Sequence, residues 1–156
     1  MVRKPTSAAP AAQTPAIRSG SMAEAAIANP ESRADRQQRK RLSGPAIRTF
    51  LRLAEAWHMT VGEQIALLGY PGESTYFKYK AERGGTLSFD TLTRISLLLG
   101  IYKALHILYP DERLADSWIK LPNSNPLFGG KPALELMMSG IDGLYQVRRL
   151  LDGRRG

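Results

Sequence analysis

Thr60-Val-Gly-Glu-Gln-Ile-Ala-Leu-Leu-Gly-Tyr-Pro-Gly-Glu-Ser-Thr-Tyr-Phe-Lys-Tyr-Lys-Ala-Glu-Arg83 is the stretch whose reading decides the fold. Its opening four residues form a capping-box pattern. The Thr60 hydroxyl can accept from the amide three residues on, and the Glu63 carboxylate can reach back to the cap amide. Ile65, Ala66 and Leu68 give this element an apolar face, and Gly69 ends it. Tyr70-Pro71-Gly72 reads as a turn. A second helix is predicted from about Glu73 to Arg83, closed by Gly84-Gly85. Within it Phe77 is expected to be the inward anchor, with Tyr76 packing partly inward.

Moving outward, Ser43 before Pro45 looks like an N-cap followed by an early helical proline. Ile47, Phe50, Leu51, Leu53, Ala54 and Trp57 then recur at helical spacing. Downstream, Ser88 is expected to cap a helix running to Leu99, with Gly100 separating it from Ile101–Leu108 and Pro110 breaking the chain. Another helix is predicted over Asp111–Ile119, a loop over Leu121–Pro132, and two short helices over about 132–138 and 141–151. No strand-like alternation and no internal repeat occur. The fold class is therefore all-α.

Upstream of about residue 35 lie four of the ten prolines, mixed with Ala, Ser and Thr and almost no large apolar residue. Such a segment cannot bury enough surface to offset its ordering entropy, so a disordered arm is expected. The run Arg33-Ala-Asp-Arg-Gln-Gln-Arg-Lys-Arg41 ends it. It reads either as an arm for a phosphate backbone or as a solvated tail or first helical turn.

Net charge is +8 and the basic excess is uneven. Residues 1–43 carry eight Lys/Arg against three Asp/Glu, residues 44–109 seven against five, and residues 110–156 seven against six. A polyanionic partner is favoured by that total. The absence of cysteine removes disulfides and thiolate metal sites and fits a reducing cytoplasm. His58 and His106 have no companion at metal-ligand spacing, and neither sits in a nucleophile motif. No apolar run is read as a membrane span, and no secretory signal is read at the N-terminus. No metal, cofactor, membrane partner or enzymatic activity is expected.

Helix, tight turn, helix is the geometry in which the second helix enters a major groove while the first braces on the backbone. Glu73, Ser74, Thr75 and Tyr76 in its opening turn can address base edges or phosphates. Lys78, Tyr79, Lys80 and Arg83 are placed to reach the sugar-phosphate backbone. The same residues also fit an amphipathic hairpin with a solvated lysine face.

The segment Leu87-Ser-Phe-Asp-Thr-Leu-Thr-Arg-Ile-Ser-Leu-Leu-Leu-Gly-Ile-Tyr-Lys-Ala-Leu-His-Ile-Leu-Tyr-Pro110 resembles the centre of the Xre/MbcA/ParS-type antitoxins. So do Trp118, the run Asn125-Pro-Leu-Phe-Gly-Gly-Lys-Pro-Ala-Leu-Glu-Leu-Met-Met-Ser-Gly140 and the stretch Gly143–Asp152. The resemblance covers roughly residues 44–156. Outside it lies the disordered basic arm that composition predicts over 1–43; within it the resemblance implies an Xre-like helix-turn-helix domain for DNA binding and dimerisation over 44–109 and a small helical toxin-binding domain over 110–156. It further implies a cytoplasmic antitoxin that represses its own operon at the promoter. The partner would be a RES-domain toxin, a NAD-degrading enzyme, held in a homodimer or higher toxin–antitoxin assembly. By the resemblance, the toxin surface includes Trp118, Asn125, Phe128, Gly129, Gly130, Tyr145, Arg148, Arg154 and Arg155.

Read without the resemblance, Trp118, Leu127, Phe128, Leu134, Leu136, Met137, Leu144, Val147 and Leu150 belong to a core. Ile101, Ala104, Leu105, Leu108 and Tyr109 form a stripe that serves either as core or as a dimer seam. A free-standing transcriptional regulator whose C-terminal domain only dimerises is the alternative. Gene context separates the two, because an antitoxin lies beside the reading frame of its toxin.

Overall fold

The computed structural model describes residues 22–82 and 85–156, and all regular structure among them is helical. Among these residues nine α-helices follow in chain order: α1 Met22–Ala28, α2 Pro30–Ala34, α3 Arg36–Ala56, α4 Val61–Leu67, α5 Glu73–Lys80, α6 Phe89–Leu108, α7 Glu112–Ser117, α8 Ala133–Met138 and α9 Ile141–Arg155. Two single 3-10 turns, Trp118–Lys120 and Pro126–Phe128, lie between α7 and α8.

Helix α6 is the axis of the molecule. Leu92, Ile95, Leu98, Ile101, Ala104 and Leu105 along it are fully buried, and α9, α3, α7, α1 and α2 all pack on it. It is long and apolar enough to cross a membrane by composition, yet two thirds of that stretch is buried inside the fold, as in a core helix. The core is one continuous cluster from Ile27 to Leu151. Ile101, Ala104 and Leu105 are therefore core and offer no dimer seam, while Leu108 and Tyr109 are half-buried beside them.

The expected break at Gly100 is absent: α6 runs through it without interruption. Helical geometry tolerates glycine at a modest cost, and here α9 packs against the gap its missing side chain leaves. Ser88 does cap α6, accepting from the Thr91 amide at 3.1 Å.

The N-terminal expectation is corrected most. Residues 1–21 lie outside the described residues, but residues 22–43 are helical rather than a disordered arm. Ile27 is fully buried, and Glu24 is buried with its Oε2 accepting from Lys103 Nζ at 3.0 Å. Nor is the basic run simply an extended arm. Arg33 is buried; its Nη1 donates to the Ile27 carbonyl at 2.8 Å, and its guanidinium sits 5.5 Å from the Phe89 ring centroid. Burial lowers the Arg33 pKa, partly offset by Tyr145. Arg39 Nη1 donates to the carbonyls of Ala34, at 2.8 Å, and Arg33, at 3.1 Å. Composition undercounts such a segment because one isoleucine and one arginine suffice to dock it.

Helix α3 starts at Arg36 behind Asp35, whose side chain accepts from the Gln37 amide, so Ser43 is not its N-cap and Pro45 lies inside it. Ser43 instead donates through Oγ to the Arg39 carbonyl at 2.6 Å and accepts the Leu87 amide at 2.8 Å. That second bond ties α3 to the segment entering α6. The Thr60–Glu63 capping box forms as expected. Helix α5 ends at Lys80, earlier than expected, with Glu82 in the left-handed region at φ 59°; Arg83 and Gly84 lie outside the described residues.

The two halves are joined by polar contacts as well as core. Lys120 Nζ donates to the His58 carbonyl and lies 3.7 Å from Glu63 Oε1. His58 is in the turn after α3, at φ 50°. His106 accepts or donates through Nε2 to Asp116 at 2.8 Å, bridging α6 and α7.

Candidate nucleic-acid and partner interfaces

Helix α5 is held from one side by Tyr76. That ring is 1% exposed and its hydroxyl donates to Gln64 Oε1 on α4. Burial pushes its phenol pKa up. Tyr76, expected among the residues addressing DNA, is thus the anchor, and Phe77, expected to be the anchor, points outward at 51% exposure. The two exchange roles because a helix advances about 100° per residue, so only one of two adjacent aromatics can face the core.

Tyr79 lies on the same inward side, half-buried beside α3, and burial raises its pKa too. The outward side carries Glu73, Ser74, Thr75, Phe77 and Lys78, all exposed. Lys80 is exposed at the flank, lining a recess with Glu55 and His58 rather than the centre of the outward face. The turn before α5 uses Tyr70 at φ 58° with its side chain 69% exposed. Phe77 and Ala81 are the outward residues that motif reading missed. A wheel drawn around Tyr76 and Tyr79 as the inward pair would have found both.

The toxin-surface candidates divide into two groups. Trp118 and Phe128 are buried against each other, edge to face, with centroids 5.9 Å apart. Their expected surface role gives way to a core role: they hold the Leu121–Pro132 loop onto the fold. Asn125 caps the second 3-10 turn, its Oδ1 accepting from the Leu127 amide at 2.9 Å. Gly129 and Gly130 follow at φ 57° and 82°, a path closed to most residues with a Cβ, and both are exposed. A bridge between Pro122 and Pro132 closes the base of this loop. Leu134, Met137, Leu144 and Val147 join the core as the core reading expects, whereas Leu127 is 38% exposed and Leu136 and Leu150 are only partly buried.

The second group lies on α9. Tyr145 is 39% exposed, and Arg154 and Arg155 are exposed near the chain end. Arg148 Nε donates to Asp152 Oδ2 at 2.8 Å, and Arg155 lies 3.5 Å from Asp152 Oδ1. Tyr145, Arg148 and Arg155 line a cleft of about 620 Å³ between α9, α6 and α1, together with Arg33, Lys103 and Arg149. Among the described residues Glu24 and Asp152 are the only acids lining it, against five Lys and Arg, so the cleft is cationic. Arg33, Lys103 and Arg149 come from three different helices, so no local motif could have gathered them.

Among the described residues no cluster of His, Asp and Glu is arranged to hold a metal ion. The model of the antitoxin Xre-like helix-turn-helix domain matches residues 36–100. That of the antitoxin Xre/MbcA/ParS C-terminal toxin-binding domain matches residues 104–156. The uncharacterized protein y4oB of Sinorhizobium fredii (strain NBRC 101917 / NGR234) is 46% identical over 111 residues, which span 70% of this chain and 84% of that protein. Helices α1 and α2 lie upstream of both matched segments. Helix-turn-helix domain first and toxin-binding domain second, in one helical fold, the chain belongs to the Xre/MbcA/ParS antitoxin family.

Proposed function

We propose that this protein neutralises a RES-domain, NAD-degrading toxin with its C-terminal half and represses its own operon by placing α5 in promoter DNA. The observation that carries the toxin half is the cationic cleft on α9, where Tyr145, Arg148 and Arg155 stand at the surface of a toxin-binding domain. An arginine fork is suited to carboxylate or phosphate groups, so the cleft fits an acidic feature of the partner. The loop of Asn125, Gly129 and Gly130 forms a second contact region, with Trp118 and Phe128 supporting it from beneath.

The DNA half is supported by the exposed outward face of α5 and its lysines, within the segment matched as helix-turn-helix. A single module gives a small interface, so operator binding is assigned to a homodimer or a higher toxin–antitoxin assembly in the cytoplasm. The seam of that assembly lies outside Ile101, Ala104 and Leu105, which the core already uses.

Co-expression with the RES-domain protein of the neighbouring gene tests the toxin half: growth arrest is relieved and the two proteins co-purify. Continued arrest with both proteins soluble sinks it. Footprinting on the upstream promoter tests the DNA half, and protection no greater than on unrelated DNA at the same salt sinks that.

A further inference from the structure

We propose that Phe77 is the residue through which α5 reads base sequence, by apolar contact with the C5-methyl group of a thymine in the major groove. This deepens the promoter-binding reading and rests on it.

With Tyr76 and Tyr79 turned inward, the centre of the outward face falls on Ser74, Phe77, Lys78 and Ala81, about one turn apart. Phe77 is the one large apolar side chain among the described residues of that face. Of its neighbours at that centre, Ala81 offers a single methyl, and Ser74 and Lys78 carry little base information. A serine hydroxyl donates or accepts and so suits several bases, and a lysine on a flexible stem serves phosphates as well as guanine. An exposed phenylalanine in such a place has only one apolar feature to meet on the major-groove edge of base pairs, the thymine methyl.

The ring is also held in position. Tyr76 meets it edge to face, centroids 5.2 Å apart and planes at 70°, and Tyr76 is itself fixed by burial and by its bond to Gln64. A side chain oriented before binding loses less freedom on contact. Lys78 beside it and Lys80 on the flank supply the positive charge that brings a polyanion to this face. A protein partner would also bury Phe77, but would have no use for methyl groups on DNA.

The test is a thymine-to-deoxyuridine scan of the promoter site, read by Kd at fixed salt for the full-length protein and for Phe77→Ala. Each such replacement deletes one methyl group and leaves base pairing intact. Wild type should lose about fourfold in affinity at one thymine per half-site, the worth of one buried methyl. Phe77→Ala should bind the parent site more weakly and be indifferent to that replacement, while Phe77→Leu keeps part of the effect. Because Phe77 is half-exposed, circular dichroism of the variants should match wild type. Specific binding without methyl dependence, or methyl dependence that persists in Phe77→Ala, overturns the inference and leaves promoter binding standing. Failure of wild type to prefer the promoter overturns promoter binding and this inference together.

Discussion

The guanidinium of Arg148 occupies the space that a side chain on Gly100 would fill: a Cβ on Gly100 would stand 1.0 Å from Arg148 Nη1 and 2.3 Å from Cζ. This explains a glycine in the middle of the central helix. It also yields a way to move a candidate contact residue without mutating it. In Gly100→Ala the arginine, a flexible chain end, swings away, while α6 gains about 1 kcal/mol of helix propensity. Thermal stability should change little, and toxin affinity should fall on the order of tenfold, as in Arg148→Ala. Calorimetric titration of the single and double variants checks this, because the two losses should not add. Wild-type affinity in Gly100→Ala would remove Arg148's position from the binding mechanism.

Gly143 presents the opposite case. A Cβ there would lie 1.9 Å from the Leu136 carbonyl oxygen, a backbone atom of the preceding helix that cannot step aside. Gly143→Ala should therefore cost at least about 1–3 kcal/mol by overpacking. Urea titration should show a lower midpoint with an unchanged slope.

Tyr76 should behave as a core residue. Tyr76→Ala is expected to cost about 3–5 kcal/mol, as large aromatic truncations do, and Tyr76→Phe about 1 kcal/mol for the lost bond to Gln64. Its pKa, like that of Tyr79, is raised in the folded state by burial. The unfolded chain thus releases these protons first, so their contribution is complete below the ordinary phenol pKa of about 10 and is lost as pH rises above it. Denaturation midpoints should fall above that pH, and fall less steeply in Tyr76→Phe.

Ile27→Ala reports on whether α1 belongs to the cooperative fold. A fully buried isoleucine truncated to alanine should cost about 2–5 kcal/mol. A change within about 0.5 kcal/mol, the usual range for a surface site, would place α1 outside the unit that unfolds together.

Lys78→Ala should lower promoter affinity and reduce the slope of log K against log salt by about 1, the signature of one phosphate contact. Lys80→Ala, at the flank of α5, should do less. Equal salt slopes for wild type and Lys78→Ala would take Lys78 off the phosphate backbone.

The helix-turn-helix was legible because its signals are local. The Thr60–Glu63 box and the Ser88 cap each need only a few neighbouring residues, and both formed as read, whereas the turn expected at Tyr70–Gly72 falls earlier, at Leu68–Gly69. What could not be read depends on tertiary partners. Gly100 resembles a helix break until α9 is laid across α6, and Arg33 resembles a tail charge until the Ile27 carbonyl is beside it. Tyr76 and Phe77 are nearly equal as apolar residues, so composition could not decide which faced inward. The cationic cleft was only half visible, since Arg148 and Arg155 stood in a motif but Arg33 and Lys103 arrive from elsewhere in the chain.

Phe89–Leu108 crosses the boundary between the two family segments and is the central packing surface for both. It provides no joint at which one half can be let go while the other stays folded. On the proposed function, proteolysis or heat that opens this helix frees the promoter and the toxin in a single event. The lifetime of one helix then sets both clocks.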